Sequence, residues 1–577
     1  MTSTSSSLSE GTIDLAGVPV PNNLEPMRNA EIAAAISELG ALYELDGANR
    51  FRVLAYKEAA RVIRDSPHSI EELALAGKAT ELQGIGDTIQ EKVVALSEQG
   101  EIPAAVKLKA KFPASLVELT RIPGVGAKTV RLIYDQTGIA TLEELGRMST
   151  GGSEERRLLD DVREIGTELV TTLGEHPASE RVVLAGSARR WAETCKDIDI
   201  IATASDPEAL ATSLAENDLI GEHGNPGANG LRARTHNGIQ VDLRIVPPDE
   251  FGNLLQHFTG SKEHNVKLRE RAVKMGLSVS EHGIADTESG EVDKHETEEE
   301  VYERLGLAYI EPELRQGARE IAQAEAGELP ELVKLTDIRG DLHCHTTLSD
   351  GHNSLREMAE AAEARGYAYL AVTDHSATHG FGDDVQPDAL KRRIAEVAKL
   401  NESLPKGFRV LSGSEINIGT DGSLDYDDDL VDQLDWVVAS VHTSFRVPKA
   451  KMTARMVEAV SNPLVDCLGH PSGRLLLKRE PYEFDVEAVI AAAAEHGTMI
   501  EINGSPRRRD LNEHHARMAA EAGVTICLNT DAHRVATLEN MLYAVATARR
   551  AGLTKDQIAN TRPWRSFNAL RKKNRKL

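Results

Sequence analysis

Two aspartates stand two residues apart in the segment Arg181 to Ile201, RVVLAGSARRWAETCKDIDII, and a third follows in GIQVDLRIV. The segment reads as a strand, a Gly-Ser turn, a charged loop and a second strand carrying Asp197 and Asp199. Residues i and i+2 of a strand project to one face, so the two carboxylates point the same way, about 7 Å apart. In the later run, Ile239, Val241, Leu243 and Ile245 alternate with Gln240, Asp242 and Arg244, which puts Asp242 on the polar face of a third strand. Gly186 and Ser187 follow the first strand, and a residue without Cβ lets backbone N–H groups approach a phosphate closely. Arg189 and Arg190 add cations for phosphate oxygens. A lone Asp-x-Asp is mostly solvated surface; with these neighbours it suits two divalent cations and a nucleoside triphosphate.

A second set of candidates fills residues 338–577. Seven apolar runs, DLHCH, AYLAVTDH, FRVLSGSEINI, LDWVVASVHTSF, VDCLGH, TMIEINGSP and VTICLNTDAHR, alternate with helix-compatible stretches such as SLREMAEAAEARG and LNEHHARMAAEAG. Regular βα alternation predicts a parallel sheet closed into a barrel, distorted because it has seven units. Six of the seven runs end in His, Asp or Glu: Asp341, His343 and His345 with Asp350 in the next loop; Asp374 and His375; Glu415; His442; His470; Asp531 and His533. Such barrels place their chemistry at the carboxy-terminal strand ends. One such histidine is more often structural, but six ends are hard to explain that way. Mixed imidazole and carboxylate ligands fit Zn²⁺ or Mn²⁺ better than Mg²⁺ alone. Cys344 alternates away from His343 and His345 and reads as core.

The elements that must position these residues follow from the rest of the chain. Its 577 residues exceed what one core supports, so several domains are expected. No apolar run approaches a membrane span and no leader is legible, so a cytoplasmic protein with no membrane partner is expected. Four scattered cysteines predict reduced thiols. A net charge of −25 runs against phosphate binding, but local distribution decides at a single groove. After a polar tail over 1–25, apolar spacing turns helical from Asn29 and again over Phe51 to Ile63. Two Gly-x-Gly turns follow, LQGIGDTIQEKVVAL with Gly84 and Gly86, and LTRIPGVGAKTVRLIY with Gly124 and Gly126. Each leads a helix carrying Lys92 or Lys128, a pattern for helix-hairpin-helix contacts to a nucleic-acid backbone. Later, LLQHFTGSKEHNVKLRERA reads as a turn entering a basic helix, and Ala318 to Leu335 as a helical connector. The basic end, NALRKKNRKL, reads equally as a DNA contact or a solvated end.

Taken as GSxRR, then six residues, DxD and the Asp of VDLRIV, the first pattern resembles the palm of family X DNA polymerases. AYKEAARVI, PHSI and GIG resemble that family's amino-terminal lyase domain, and FTGS resembles its thumb. The HxH, DH, E, H, H and DxH signatures resemble the PHP (polymerase and histidinol phosphatase) domain. The resemblance implies a multidomain α/β protein: a lyase-like domain over 26–100, a helical fingers-like domain over 101–179, a nucleotidyltransferase palm over 180–255, a thumb over 256–317, a linker over 318–337 and a (βα)7 PHP barrel over 338–577. It implies that Asp197, Asp199 and Asp242 hold two Mg²⁺ or Mn²⁺ ions and that Gly186, Ser187 and Arg190 hold the triphosphate. Phe258 and Gly260 would line the sugar pocket, Asn265 would reach a minor-groove acceptor, and Arg269 would touch the template. Lys92 falls at the family's Schiff-base lysine, but Thr88 stands where a second basic residue belongs, so a simple phosphate contact is as good a reading. In the barrel, His343, His345, Asp350, His375, Glu415, His442, His470, Asp531 and His533 would hold up to three Mn²⁺ or Zn²⁺ ions, with His343 and His345 at the centre of the hydrolysis.

Two departures stand out. Cys195-Lys196 replaces Ser or Thr followed by Gly, and His257 stands where vertebrate relatives carry Tyr. The implied function is a monomeric gap-filling repair polymerase acting on gapped or primer-template DNA and dNTPs. Its barrel would be a 3′-5′ exonuclease, with abasic-site endonuclease or 3′-phosphatase activity possible. Two alternatives stay open: a small-molecule phosphatase fused to a non-DNA nucleotidyltransferase, and a DNA-end-binding scaffold.

Overall fold

The computed structural model describes residues 28–112 and 156–574, apart from 47, 49, 67, 83, 110, 379 and 381–383. The chain divides into two compact units, Met1–Gly151 and Gly152–Leu577. The tail over 1–25 and the second Gly-x-Gly turn, with Gly124, Gly126 and Lys128, lie outside the described residues.

The first unit is helical. Helix α1 (Asn29–Leu45) and α2 (Arg50–Asp65) pack face to face, burying Ile32, Ile36, Leu39 and Leu42 against Tyr56, Ala59 and Ile63. Asn29 ties the start of α1 to the PHSI turn: its Nδ2 donates to Ser66 O (3.1 Å) and His68 O (2.7 Å), and its Oδ1 accepts from Ile70 N (2.9 Å). Ser69 then caps α3 (Ile70–Leu75). The GIG turn leads into α4 (Asp87–Gln99), and α5 (Pro103–Lys109) closes the core.

In the second unit, α6 (Leu159–Gly174) covers one face of a five-stranded sheet. Its strands are β1 (Ser179–Leu184), β2 (Asp197–Ala204), β3 (Ile220–His223), β4 (Gly230–Thr235) and β5 (Gln240–Ile245), in the order β1-β2-β5-β4-β3. Helix α7 (Pro207–Ala215) links β2 to β3. The β2–β5 pair is parallel and the others antiparallel. Alternation along β2 sends Ile198, Ile200 and Ala202 into the core with α6, and sets Ile201 against Phe251, Leu254 and Leu255 of α8 (Phe251–Thr259). Gly186–Arg189 forms one turn of helix where a plain turn was expected.

After Gly260, Ser261 caps α9 (Lys262–Lys274), accepting from His264 N at 3.2 Å. A small antiparallel sheet of β6 (Leu277–Ser280), β7 (Gly283–Asp286) and β8 (Val292–Asp293), then α10 (Glu298–Arg304), completes this part. Glu298 is its anchor: its carboxylate accepts from fully buried Arg315 (2.5 Å) and from Arg189 (2.7 Å). Burial would raise the Glu298 carboxyl, but Arg315 and Arg189 outweigh it and hold it down to about 2. The connector forms α11 (Glu320–Ala326), whose buried Glu320 meets His264 Nδ1 at 2.8 Å.

The barrel strands are β9 (Gly340–Asp341), β10 (Tyr369–Val372), β11 (Arg409–Asn417), β12 (Trp436–Ser440), β13 (Cys467–Leu468), β14 (Met499–Asn503) and β15 (Ile526–Asn529), parallel and in sequence order. A parallel bridge between Cys344 and Ala532 links the first run to the last. Helices α12 (Leu355–Ala364), α13 (Pro387–Asn401), α14 (Lys449–Ser461), α15 (Val486–His496), α16 (Glu513–Glu521) and α17 (Met541–Arg550) wrap it, while only the short Asp428–Val431 helix separates β11 from β12. The first strand is shorter than the DLHCH run predicted. Beyond Asp341 the chain bonds alternately to both neighbours, with Cys344 O accepting from Thr373 N (2.8 Å) and His345 N donating to Ala532 O (2.8 Å).

Cys344 is buried, as its alternation predicted. The basic end is described as far as Asn574, and part of it packs on the barrel. Phe567 stacks on Tyr369 with ring centroids 4.5 Å apart, Arg571 donates to Asp435 O (2.6 Å), and Lys572 Nζ donates to Asn462 O (2.7 Å). Arg571 and Lys572 thus answer a carboxylate and carbonyls at the foot of the barrel. Among the described residues, no helix is long and apolar enough to cross a membrane.

Candidate active sites

Parallel pairing sets Asp199 of β2 directly beside Asp242 of β5, with Asp197 two residues before Asp199 on the same face. The turn after β1 is fitted to that strand. Ala185 N donates to Asp199 O (2.8 Å), and Gly186 sits at φ +62°, where a Cβ would lie 2.0 Å from Asp199 Oδ2. Only glycine fits there. Burial, then the neighbouring charges of Asp197 and Asp242, pushes the Asp199 carboxyl up to about 7. Asp197 is raised by burial and by Asp242. Crowded acids on one face are what a divalent cation relieves, and their oxygens are the hard donors that Mg²⁺ and Mn²⁺ take.

A cleft of about 570 Å³ collects most of the expected nucleotide site: Gly186, Ser187, Arg190, Asp197 and Asp199 on the palm side, with His257, Phe258, Gly260, Asn265 and Arg269 opposite. Asp242 is not among its lining residues. Its oxygens accept from Arg232 Nε and Gln240 Nε2, both at 2.9 Å. Arg190 lines the cleft but is largely buried, donating to Thr259 O. Burial, then the nearby Arg550 guanidinium, pulls Arg190 down to about 10.

Arg189, expected as a second phosphate cation, does not line the cleft, being committed to Glu298 and to Thr259 Oγ1 (2.6 Å). The α8–α9 corner is tied as well: Asn265 Nδ2 donates to His257 O (2.8 Å), Asn265 Oδ1 accepts from Gln256 Nε2 (2.9 Å), and Arg269 Nη2 lies 3.4 Å from His257 Nδ1. Cys195 is fully buried, and burial raises its thiol; Lys196 is exposed.

In the helical unit, Gly84 has φ +102° and Ile85 is buried as the pivot of the turn. Gly84 and Gly86 are both exposed, and a Cβ on Gly86 would meet nothing within 4 Å, so this backbone is open to a ligand. Lys92 is half-buried, one helical turn beyond exposed Thr88 on α4.

The barrel mouth brings together all nine expected ligands. Three groups of atoms converge within 4.8 Å: His345, Asp350, His375 and His533; His343, His345 and Glu415; His375, Glu415 and His442. His470 Nε2 joins at 2.8 Å from Glu415 Oε1, and Asp531 Oδ1 lies 3.1 Å from His345 Nε2. Among the described residues, every such convergent group lies in the barrel. Burial would raise Glu415, but His442, His343 and His375 hold it well below the usual carboxylate range.

His343 Nε2 and His345 Nδ1 are buried and make no hydrogen bond, and Glu415 Oε2 lies 3.4 Å from His343 Nε2 and 2.9 Å from His375 Nδ1. Orphaned donors on borderline ligands, aimed at one centre, fit Mn²⁺ or Zn²⁺. Asp341 and Asp374 also end strands but serve the loops. Asp341 accepts from Thr530 N (3.2 Å), and Asp374 accepts from Thr346 N (2.7 Å) and Ser349 Oγ (2.9 Å).

Sequence reasoning missed the contribution of the run TMIEINGSPRRRD. Glu501, fully buried on β14, accepts from His343 Nδ1 (2.7 Å), Asn529 Nδ2 (2.8 Å), Asn503 Nδ2 (3.2 Å) and His470 N (2.7 Å). It fixes the His343 tautomer so that Nε2 faces the cluster. Arg508 Nε lies 3.4 Å from Asp531 Oδ2. A carboxylate between two isoleucines of an apolar strand was the available signal, overlooked because Glu501 precedes the strand end.

Residues 27–102 match the helix-hairpin-helix domain family, 254–316 the DNA polymerase beta thumb and 341–529 the PHP domain. The chain is 33% identical over 576 residues to the DNA polymerase/3′-5′ exonuclease PolX of Bacillus subtilis (strain 168), covering 95% of this chain and 100% of that one. Its barrel part is similar to probable phosphatases of Thermoanaerobacter sp. (strain X514), 31% identical over 249 residues (41% of this chain, 96% of that one), and of Photobacterium profundum, 32% identical over 242 residues (39% and 91%). With the paired aspartates facing a phosphate turn and the nine ligands at a barrel mouth, this near full-length likeness means that the chain belongs to the PolX family, family X DNA polymerases with a fused PHP domain.

Proposed function

We propose that this chain is a DNA polymerase that fills short gaps during repair and trims 3′ ends with its barrel. The observation that carries the reading is the 570 Å³ cleft, which lines up the phosphate turn, two of the three palm carboxylates and the α8–α9 corner. Gly186, Ser187 and Arg190 would hold the triphosphate, Phe258 and Gly260 the sugar, Asn265 the minor groove and Arg269 the template strand. Asp197, Asp199 and Asp242 would hold two Mg²⁺ or Mn²⁺ ions, which lower the cost of ionising a primer 3′-OH and offset the charge of the leaving pyrophosphate. Gly84, Gly86 and Lys92, with Gly124, Gly126 and Lys128, would grip DNA backbone, and domains would divide as the sequence predicts.

In the barrel, the nine ligands would hold up to three Mn²⁺ or Zn²⁺ ions that activate water toward a 3′-terminal phosphodiester. His343, oriented by Glu501, and His345 sit at its centre. Likeness to separate phosphatases favours a second reading for the barrel alone, removal of a 3′-phosphate.

Asp242→Ala is expected to abolish dNTP incorporation on a gapped duplex and spare 3′-end degradation, and His343→Ala to do the reverse. Loss of both activities from either change in a folded chain sinks the two-site reading. A 3′-phosphorylated primer distinguishes the barrel readings, since a phosphatase releases inorganic phosphate before any nucleotide.

A further inference from the structure

The segment between the phosphate turn and the carboxylate strand, Arg190 to Lys196, is where the chain departs from its family, and it is strained. Trp191 has φ +54°, a left-handed backbone that a residue with a side chain keeps only when its surroundings over-determine it. Part of that support comes from the palm, where Arg163 lies 3.7 Å over the indole. The palm also pairs Thr194 and Cys195 with Leu158 and Arg157, and Trp191 N donates to Ala188 O (3.3 Å). The barrel adds a second set of contacts. Arg509 Nη2 donates to Trp191 O (3.1 Å), Arg550 Nη1 donates to Arg190 O (2.8 Å), and the Arg474 fork takes both Glu193 oxygens, with Nη1 at 3.1 Å from Oε2. Tyr543 of α17 meets the Trp191 ring edge-on at 5.9 Å.

These arginines are not loose surface cations. Arg509 is 1% exposed and Arg550 8%, and a guanidinium is costly to bury unless its donors are answered. Here the palm-loop carbonyls answer one donor of each, while Thr547 Oγ1 takes Arg509 Nε (2.7 Å) and Glu513 Oε1 takes Arg550 Nη2 (2.5 Å) inside the barrel.

Two of these barrel segments adjoin the expected metal ligands. Arg474 follows His470 by four residues, Arg509 adjoins the Arg508 that faces Asp531, and Ser472 N donates to Asp510 Oδ2 (2.9 Å), joining the two segments.

We propose that Arg474, Arg509 and Arg550 of the PHP barrel are positioning residues for nucleotidyl transfer: they hold the Arg190–Lys196 loop and thereby the spacing of the phosphate turn from Asp197 and Asp199. This rests on the polymerase reading above. Glu193 is the handle for testing it, because it lies on the palm side and lines neither site.

In the full-length chain, Glu193→Ala and Glu193→Gln are expected to raise the dNTP KM roughly tenfold on a single-nucleotide gap, with a smaller change in kcat, because sub-ångström misplacement of a binding group is felt in rate and affinity. Exonuclease activity of the same preparations should stay within about twofold. The exchanged pair, Glu193→Arg with Arg474→Glu, should recover most of the lost affinity. An unchanged KM in Glu193→Ala overturns the proposal, as does parallel loss of both activities in Ala and Gln variants. If wild-type chain incorporates no dNTP while degrading 3′ ends, the polymerase reading fails, and this proposal with it.

Discussion

Replacing Gly186 with alanine should silence the palm and leave the barrel working. The added Cβ would sit 2.0 Å from Asp199 Oδ2, 2.9 Å from its Cγ and 3.2 Å from its Cβ, where contacts under 3.0 Å are essentially never seen. The carboxylate must therefore retreat by about 1 Å, and misplacement on that scale costs on the order of 10²-fold in rate, about 2.7 kcal/mol of transition-state stabilisation. Moving the turn instead is no cheaper, because Ala185 N is bonded to Asp199 O on the same strand. The left-handed φ of +62° adds roughly 1–2 kcal/mol of backbone strain.

In a unit this large, strain of that size lowers Tm by no more than a few degrees. Single-turnover dNTP incorporation on a gapped duplex should thus fall about a hundredfold, while 3′-end degradation stays near wild type. A Gly186→Ala chain that incorporates within about threefold of wild type would refute the claim that Asp199 must occupy its present position.

Two further outcomes follow from buried carboxylates. Four donors converge on the two oxygens of Glu501, and the NH2 of a glutamine would face some of them. Glu501→Gln should therefore weaken metal binding by the barrel by about 10- to 100-fold in a metal titration, with palm incorporation unchanged; equal affinity would show that His343 needs no such partner. Glu298 has a folded value of about 2 against an ordinary 4.5, so its contribution, roughly 3 kcal/mol, is complete above pH 4.5 and lost as pH falls toward 2. Glu298→Gln should lower Tm clearly at pH 7, where it strands fully buried Arg315, and much less at pH 3; a gap that does not narrow in acid would remove Glu298 as the source.

Much of this was legible in the chain itself. A period of two exposed the aspartate face of β2 and the core position of Cys344, and βα alternation with strand-end ligands exposed the barrel. The nine side chains that meet at the barrel mouth were legible through their strand-end positions and the resemblance to the PHP motifs, which are short and local in sequence. Glu501 was not, since its role depends on which histidine lies across the barrel, 158 residues away in sequence.

The same limit applies to charge. Arg189, Arg190, Arg474 and Arg509 look alike in sequence, yet the fold commits Arg189 to Glu298, Arg474 to Glu193 and Arg509 to a palm carbonyl, and leaves Arg190 at the cleft. Arg571 and Lys572 likewise found partners at the foot of the barrel. Sequence by itself determined most elements and pointed to the side chains that gather at the two sites, because periodicity and short motifs are local properties of residue type. Tertiary structure decided which charges are spent on the fold and which face the sites, because a guanidinium or carboxylate is defined by the partner that long-range packing brings to it.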